Sequence, residues 1–272
     1  MMNYNLMYNG TEIIDVFKYL IRALDVLYVL EDKKPVAKIT VSNDDYDKVR
    51  SFCDNYGLVM KRSNEKVLKN INWSEGSFVD SVKIDAFMPS SGDNIIYLSK
   101  HESLAERAKV ADFLNDHEQL GTLLGYPKCC VDHFRHVKTN EFIYANNYVK
   151  PALENSSFKV SMINILPRHV DVSLISHYPC SFDCTQSINI AEQHLGVIRK
   201  HAPELADYML DILKSPVIMT QKSGVHVLLG HWKEGPNVKF QGVMSSVQNA
   251  LHDSLRSWGQ VSANEDGLLL FE

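Results

Sequence analysis

Residues 11–41 read TEIIDVFKYLIRALDVLYVLEDKKPVAKITV and contain the two hydrophobic periodicities on which the fold assignment rests. Apolar side chains recur every three to four positions, which predicts a helix with one buried face over residues 11–30. Pro35 ends that pattern, and residues 36–41 alternate between apolar and polar side chains, as in a strand. A helix that leads into a strand indicates a mixed architecture of helices and sheet.

The first hundred residues continue this mixture. A short helix is predicted over residues 45–56, and further strands are predicted over residues 58–61, 81–87 and 94–98. Residues 1–100 are therefore expected to form a small α+β domain with a mainly antiparallel sheet. Since this part contains no acidic pair, phosphate-binding glycine loop or histidine cluster, we expect it to be a scaffold or a docking domain.

Residues 101–272 are predicted to form a second domain. Helical periodicity fills its centre, in residues 100–124, 128–150 and 181–214. Strands follow Pro216, and one more helix lies among them; the strands are residues 217–220, 224–229, 238–243 and 268–271, and the helix is residues 245–258. The predicted fold class is α+β, with a small N-terminal antiparallel-sheet domain, a central helical region and a short C-terminal β-rich segment.

Composition and charge exclude several classes of function. The 272 residues include 28 Lys and Arg against 33 Asp and Glu, and the resulting net charge of −5 argues against a nucleic-acid partner. Met1–Gly10 lacks the basic and apolar parts of a signal peptide, and charged residues interrupt the apolar helix at residues 13–30. We therefore expect a cytoplasmic protein with reduced thiols, no membrane partner and a small-molecule substrate.

Four of the five cysteines lie in two similar segments, at residues 125–130 and 177–184. In each segment a Tyr-Pro pair precedes the thiols and helical sequence follows, which predicts that the cysteines lie near helix N-termini. Unpaired N–H groups and the helix dipole stabilise thiolate there, so low thiol pKa values are expected.

Two such helix starts that face each other would bring together four ligands for a metal cofactor, Cys129, Cys130, Cys180 and Cys184. Soft thiolates favour an iron–sulfur cluster, with tetrahedral zinc as the alternative. Adjacent residues of a helix point about 100° apart, so one of Cys129 and Cys130 is expected to bind while the other packs or reacts. Three cysteines would then leave one iron open. Cys53 stands alone in a predicted helix and is expected to be a buried thiol outside the site.

His177 is the histidine with the clearest predicted role, because it precedes Cys180 by three residues. We predict that it is catalytic, as a proton shuttle or a hydrogen-bond donor to a thiolate; direct metal ligation is the alternative. His133 and His136 share a helical face with Cys129 and offer a mixed zinc site with Cys180, or they are exposed without a role.

The two cysteine segments resemble the motifs of a family of uncharacterised prokaryotic proteins, Gly-Tyr-Pro-x-Cys-Cys and His-x-Pro-Cys-Ser-x-x-Cys-x-x-Ser. In this chain the motifs span Gly125–Cys130 and His177–Ser187, and the resemblance covers about residues 95–215. It implies membership of the family and carries no reaction with it.

The thiol chemistry predicts a metalloenzyme that uses a cysteine-ligated cofactor for Lewis-acid or sulfur-transfer chemistry on a small metabolite. One alternative is a non-catalytic binding module in which zinc joins two helices. Another is a thiol redox protein with a Cys129–Cys130 or Cys180–Cys184 disulfide. The geometry of a disulfide bond disfavours this alternative, because the first pair is adjacent in sequence and the second is spaced i,i+4.

Overall fold

The computed structural model describes residues 5–69, 81–86, 92–139, 148–220 and 223–272. Its α-helices are α1 (Ile13–Phe17), α2 (Leu20–Leu30), α3 (Tyr46–Asn55), α4 (Glu102–Phe113), α5 (His117–Leu123), α6 (Lys128–Thr139), α7 (Val149–Glu154), α8 (Thr185–His201), α9 (Pro203–Lys214) and α10 (Ala250–Trp258). Its strands are β1 (Met7–Tyr8), β2 (Thr11–Glu12), β3 (Ala37–Val41), β4 (Val59–Lys69), β5 (Ser81–Asp85), β6 (Asp93–Ser99), β7 (Val217–Thr220), β8 (Gly224–Leu229), β9 (Trp232–Glu234), β10 (Asn237–Lys239), β11 (Gly242–Ser245), β12 (Gln260–Ser262) and β13 (Leu268–Leu269). Two short 3-10 helices, Ser161–Ile163 and Leu166–Val170, lie between α7 and α8. The predicted α+β class is confirmed.

The N-terminal sheet has the strand order β3-β6-β4-β5, and each pairing in it is antiparallel. Strand β6 is buried on both faces because its side chains alternate between two apolar cores. Ile96 and Leu98 belong to the core that α2 shares, whereas Ile95 and Tyr97 pack with Ala108 of α4. Helices therefore cover both faces of this sheet.

The single helix predicted over residues 11–30 is wrong, because the chain breaks between α1 and α2. Lys18 has a φ of 66°, which ends α1. The backbone N–H groups of Leu20 and Ile21 then donate to the Asp171 carboxylate at 2.6 and 3.1 Å, so this distant side chain caps the start of α2. A residue about 150 positions away sets the helix boundary.

The C-terminal strands form two antiparallel sheets, with the orders β11-β8-β7-β13 and β12-β10-β9. The strand predicted over residues 238–243 is wrong as one element, because the chain passes from β10 in one sheet to β11 in the other. The helix predicted from Ser245 begins later, at Ala250, where the side chain of Asn249 accepts the N–H of His252 at 3.0 Å.

Two predicted segments extend beyond the described residues. Residue 87 of the strand predicted over residues 81–87 lies outside the described ranges, as do residues 140–147 of the helical region predicted over residues 128–150.

The largest apolar core contains side chains from both sides of the predicted domain boundary at residue 100. Leu24 and Leu27 of α2 belong to it together with Leu195 and Ile198 of α8. The division into residues 1–100 and 101–272 stays a prediction, and the two parts share this core. Among the described helices, none has both the length and the apolar character needed to cross a bilayer.

Candidate metal centre

The first cysteine segment starts helix α6, as predicted. Gly125 has a φ of 75°, a left-handed conformation that glycine adopts without strain, and it turns the chain out of α5. The carbonyl of Pro127 accepts the N–H groups of Cys130 and Val131 at 3.0 Å each, which begins the helix. Cys129 and Cys130 therefore lie in the first turn.

The second cysteine segment is irregular, and the helix predicted from residue 181 begins later than expected. Helix α8 begins only at Thr185, with Cys184 at its N-cap. The preceding chain is held by tertiary contacts: the N–H of Phe182 donates to Ser156 Oγ at 2.7 Å, and its ring packs on Phe271. The partners in these contacts lie outside the segment, and they hold its backbone in an irregular conformation although its sequence has helical periodicity.

The four sulfurs of Cys129, Cys130, Cys180 and Cys184 meet at one point, and all lie within 4.8 Å of one another. The Sγ–Sγ distances are 3.9 Å for Cys129–Cys130, 3.7 Å for Cys129–Cys184 and 3.8 Å for Cys130–Cys184. Both adjacent cysteines of α6 face the group, although helix geometry predicts that they diverge. Cys184 Sγ lies at nearly the same distance from the sulfurs of Cys129 and Cys130, so the second segment contacts both cysteines of the first. The group can hold a metal ion.

The four thiols differ in pKa, and the expectation that all four are low is wrong. A hydrogen bond from Cys130 and bonds from Ser187 lower the pKa of Cys184 to about 4. That same bond, together with burial, raises the pKa of Cys130, and burial beside Cys184 raises that of Cys180 to about 12. Burial also raises the pKa of Cys129. Adjacent negative sulfurs repel one another, so one thiolate keeps its neighbours protonated until a cation balances the charge.

His177 contacts the sulfur group through a serine. Its Nε2 lies 2.9 Å from Ser187 Oγ, and that oxygen lies 3.3 Å from Cys130 Sγ. His177 is buried, and burial, with the nearby charge of Lys34, lowers its pKa to about 3. The imidazole is therefore neutral near pH 7, and two hydrogen bonds through Ser187 connect it to the Cys130 thiol.

The remaining cysteine and the two candidate histidines of α6 do not belong to the group. Cys53 is buried in α3, where burial raises its pKa to about 12. Neither His133 nor His136 belongs to a set of described side chains close enough to share an ion, so the mixed zinc site is not assembled. His133 instead lies 3.4 Å from Asn155 through Nδ1.

A cavity of ≈ 590 Å³ adjoins the sulfur group, and Cys130 and His177 form part of its wall. Apolar side chains such as Leu120 and Phe134 line it as well. Its cationic side chains are Lys38, Lys83, Lys138 and Arg168. They come from β3, β5, α6 and the second 3-10 helix, and no sequence motif connects them, which is why sequence reasoning missed them.

One family model corresponds to the part of the chain that contains this site. Residues 101–206 match the family described as a protein of unknown function, DUF483. The match supports the resemblance to an uncharacterised family, and the matched residues include the four cysteines, His177 and Ser187. No curated protein and no solved structure matches the chain.

Proposed function

We propose that this protein is an enzyme that acts on a small metabolite with a metal cofactor held by Cys129, Cys130, Cys180 and Cys184. The observation that carries the proposal is the position of Cys130. Its sulfur belongs to the four-thiol group and its side chain lines the ≈ 590 Å³ cavity. A cavity of this size suits a small ligand, so a substrate there would lie beside the cofactor.

The sulfur distances favour one tetrahedral ion over the iron–sulfur cluster that the cysteine content first suggests. Four sulfurs at about 2.3 Å from one ion lie about 3.8 Å apart in a regular tetrahedron. Three of the Sγ–Sγ distances are 3.7, 3.8 and 3.9 Å. A four-iron cluster binds each cysteine to a different iron, and a two-iron cluster binds two cysteines to each iron, so neither brings three cysteine sulfurs this close together. Zinc and mononuclear iron are therefore the leading cofactors, with an iron–sulfur cluster as the alternative.

When bound, a thiolate-held metal would supply a Lewis acid to the reaction once one of the four thiols leaves it and opens a position for substrate. The surrounding residues have separate tasks. In the tautomer with a proton on Nε2, His177 donates to Ser187, whose hydroxyl donates to Cys130, so this chain of donors stabilises thiolate charge. Cys129 and Cys180 are half-buried and are the ligands nearer to solvent, whereas Cys130 is the ligand that faces the cavity.

A structural zinc site is the second candidate, and the closed set of four thiols favours it. Structural zinc is held by four protein ligands, whereas catalytic zinc keeps one position open to water or substrate. Here such an ion would join the start of α6 to the start of α8. The protein would then be a binding module.

Elemental analysis of anaerobically purified protein tests the proposal. We expect one zinc or iron per chain without acid-labile sulfide, loss of this metal in Cys130→Ser, and retention in the matched control Cys53→Ser. Iron with an equal amount of sulfide would establish the cluster instead. Wild-type protein that is folded, active and free of metal would overturn the proposed function.

The two candidates separate when the metal is removed by a chelator and circular dichroism is recorded. A catalytic centre predicts that activity is lost while most of the secondary structure remains. A structural zinc site predicts that helices α6 and α8 lose their packing and that the protein unfolds.

A further inference from the structure

The cavity beside Cys130 has an excess of positive charge. Lys38 and Lys83 pair with the Asp112 carboxylate at Nζ–O distances of 2.8 and 3.2 Å, and Lys83 also pairs with Glu65 at 3.0 Å. Asp112 is the acidic side chain in this wall, and with Glu65 it offsets Lys38 and Lys83 but not Lys138 and Arg168. Charge of this kind is costly to hold in a partly buried cavity unless an anion or water balances it.

Two of the cations have no acidic partner among the described residues. The guanidinium of Arg168 lies over the ring of Tyr178, 5.3 Å from its centroid, and forms no ion pair there. Lys138 Nζ lies 2.7 Å from Nε2 of His117. Burial and the charge of Lys138 lower the pKa of His117, so this imidazole accepts the bond as a neutral group. As far as the described residues go, both cations thus remain available to an anionic ligand.

The rest of the wall is apolar and aromatic. Leu120, Leu124 and Val131 line the cavity together with the rings of Phe134 and Tyr178. In pockets that combine apolar walls with a few polar groups, the apolar walls bind the body of the ligand and the polar groups fix its orientation. The cavity therefore suits a ligand that has an apolar body and a charged end.

We propose that this cavity binds a small organic anion, with a phosphate or carboxylate group held by Arg168 and Lys138 and an apolar body against Phe134. The fork of an arginine matches both anionic groups, because it donates two parallel hydrogen bonds. This proposal names the substrate class of the enzyme proposed above. That the bound anion is a substrate rests on that proposed function. Lys138 is exposed whereas Cys130 and His177 are buried, so the cavity leads from the surface toward the thiols.

Calorimetric titration of the purified protein tests this assignment. The probes are phenyl phosphate, benzoate, inorganic phosphate and the neutral benzyl alcohol. We expect one of the two aromatic anions to bind about tenfold or more tightly than inorganic phosphate and benzyl alcohol. Preference for phenyl phosphate identifies an organic phosphate as the ligand class, and preference for benzoate identifies a carboxylate.

Charge-removing variants locate the binding. Arg168→Gln and, independently, Lys138→Gln are expected to weaken the preferred anion by about tenfold. Arg107→Gln is the matched control, because it removes one exposed guanidinium from α4 outside the cavity, and it is expected to bind as the wild type does. Circular dichroism verifies that each variant is folded.

Absence of binding by both aromatic anions would overturn the assignment, as would equal weakening in Arg107→Gln and Arg168→Gln. The metal content of each sample, measured in parallel, separates the two proposals. Metal-free wild-type protein that binds the anion through Arg168 would overturn the proposed function alone. Metal-loaded protein that binds neither aromatic anion would overturn this inference alone.

Discussion

Ser187 is the residue that connects the thiols to His177. Its hydroxyl lies between Nε2 of His177 and Sγ of Cys130, at 2.9 and 3.3 Å. In the sequence His177 lies near Cys180. In the structure it is connected to Cys130 through Ser187, and the sequence does not indicate this hydrogen-bonded connection. Local spacing predicted which residues gather at the site, whereas the hydrogen bonds among them depend on how α8 lies against α6.

His177→Ala is expected to retain most of the metal and to lose turnover, because the imidazole supports a ligand without binding the ion. Cys180→Ala is expected to lose the metal. Metal per chain and circular dichroism of both variants provide the comparison. Folded His177→Ala protein that contains as little metal as Cys180→Ala would show that the histidine is a metal ligand. A His177→Ala variant that binds metal and is fully active would show that His177 has no role in the reaction.

The protonated thiols predict a steep pH dependence of metal binding. The pKa is raised for Cys129, Cys130 and Cys180 and lowered for Cys184, so binding near neutral pH releases about three protons. Zinc affinity, measured against a competing chelator between about pH 6 and pH 8, should rise by roughly three powers of ten per pH unit. An affinity that does not change with pH would show that the thiols do not bind the ion.

At the scale of elements, caps and loops explain where sequence periodicity failed. The apolar pattern of residues 11–30 is continuous, yet Asp171 caps the backbone at Leu20 and divides it into α1 and α2. The helix predicted from residue 181 likewise begins later, at Thr185, because the N–H of Phe182 is bound to Ser156. Both partners are distant in sequence, so no local pattern contains them, whereas the start of α6 after Pro127 depends on local chemistry and was predicted.

Asp171→Ala should therefore destabilise the protein, since it removes the acceptor for two N–H groups at the start of α2. The expected loss is about 1–2 kcal/mol in the free energy of unfolding, measured by urea denaturation. Asp171→Asn is the control, because its side-chain oxygen still accepts and asparagine tolerates the φ of 67°. Equal stability of the alanine variant and the wild type would contradict the capping role.

At the scale of the whole molecule, the shared core and the buried histidines tie stability to pH. His177 and His194 lie in the interior, and His194 stacks on Tyr28 with centroids 3.7 Å apart. The α+β class and the gathering of two cysteine segments could be predicted from strand alternation and from the repeated Tyr-Pro-to-Cys pattern. The cationic cavity could not, because Lys38, Lys83 and Arg168 meet only in the folded chain.

Acidification should destabilise the protein in a defined window. Burial lowers the pKa of His177 to about 3 and that of His194 to about 4, against about 6.5 in an unfolded chain. Between about pH 6.5 and pH 4 the unfolded chain binds protons that the folded chain excludes, so the free energy of unfolding falls as the pH falls. Each histidine contributes at most about 1.4 kcal/mol per pH unit.

Urea unfolding of the wild type and His194→Gln across this window measures that contribution. The variant should show a shallower dependence on pH, by about one proton. An identical slope in both proteins would contradict the assignment of a buried neutral His194.

X-ray absorption spectroscopy of the purified protein, at the edge of the metal that elemental analysis identifies, tests the central claim most directly. One ion held by Cys129, Cys130, Cys180 and Cys184 predicts four sulfur neighbours at about 2.3 Å and no second metal close by. A short metal–metal distance would replace the single ion with a cluster. A coordination shell dominated by nitrogen or oxygen would contradict the four-thiol centre itself.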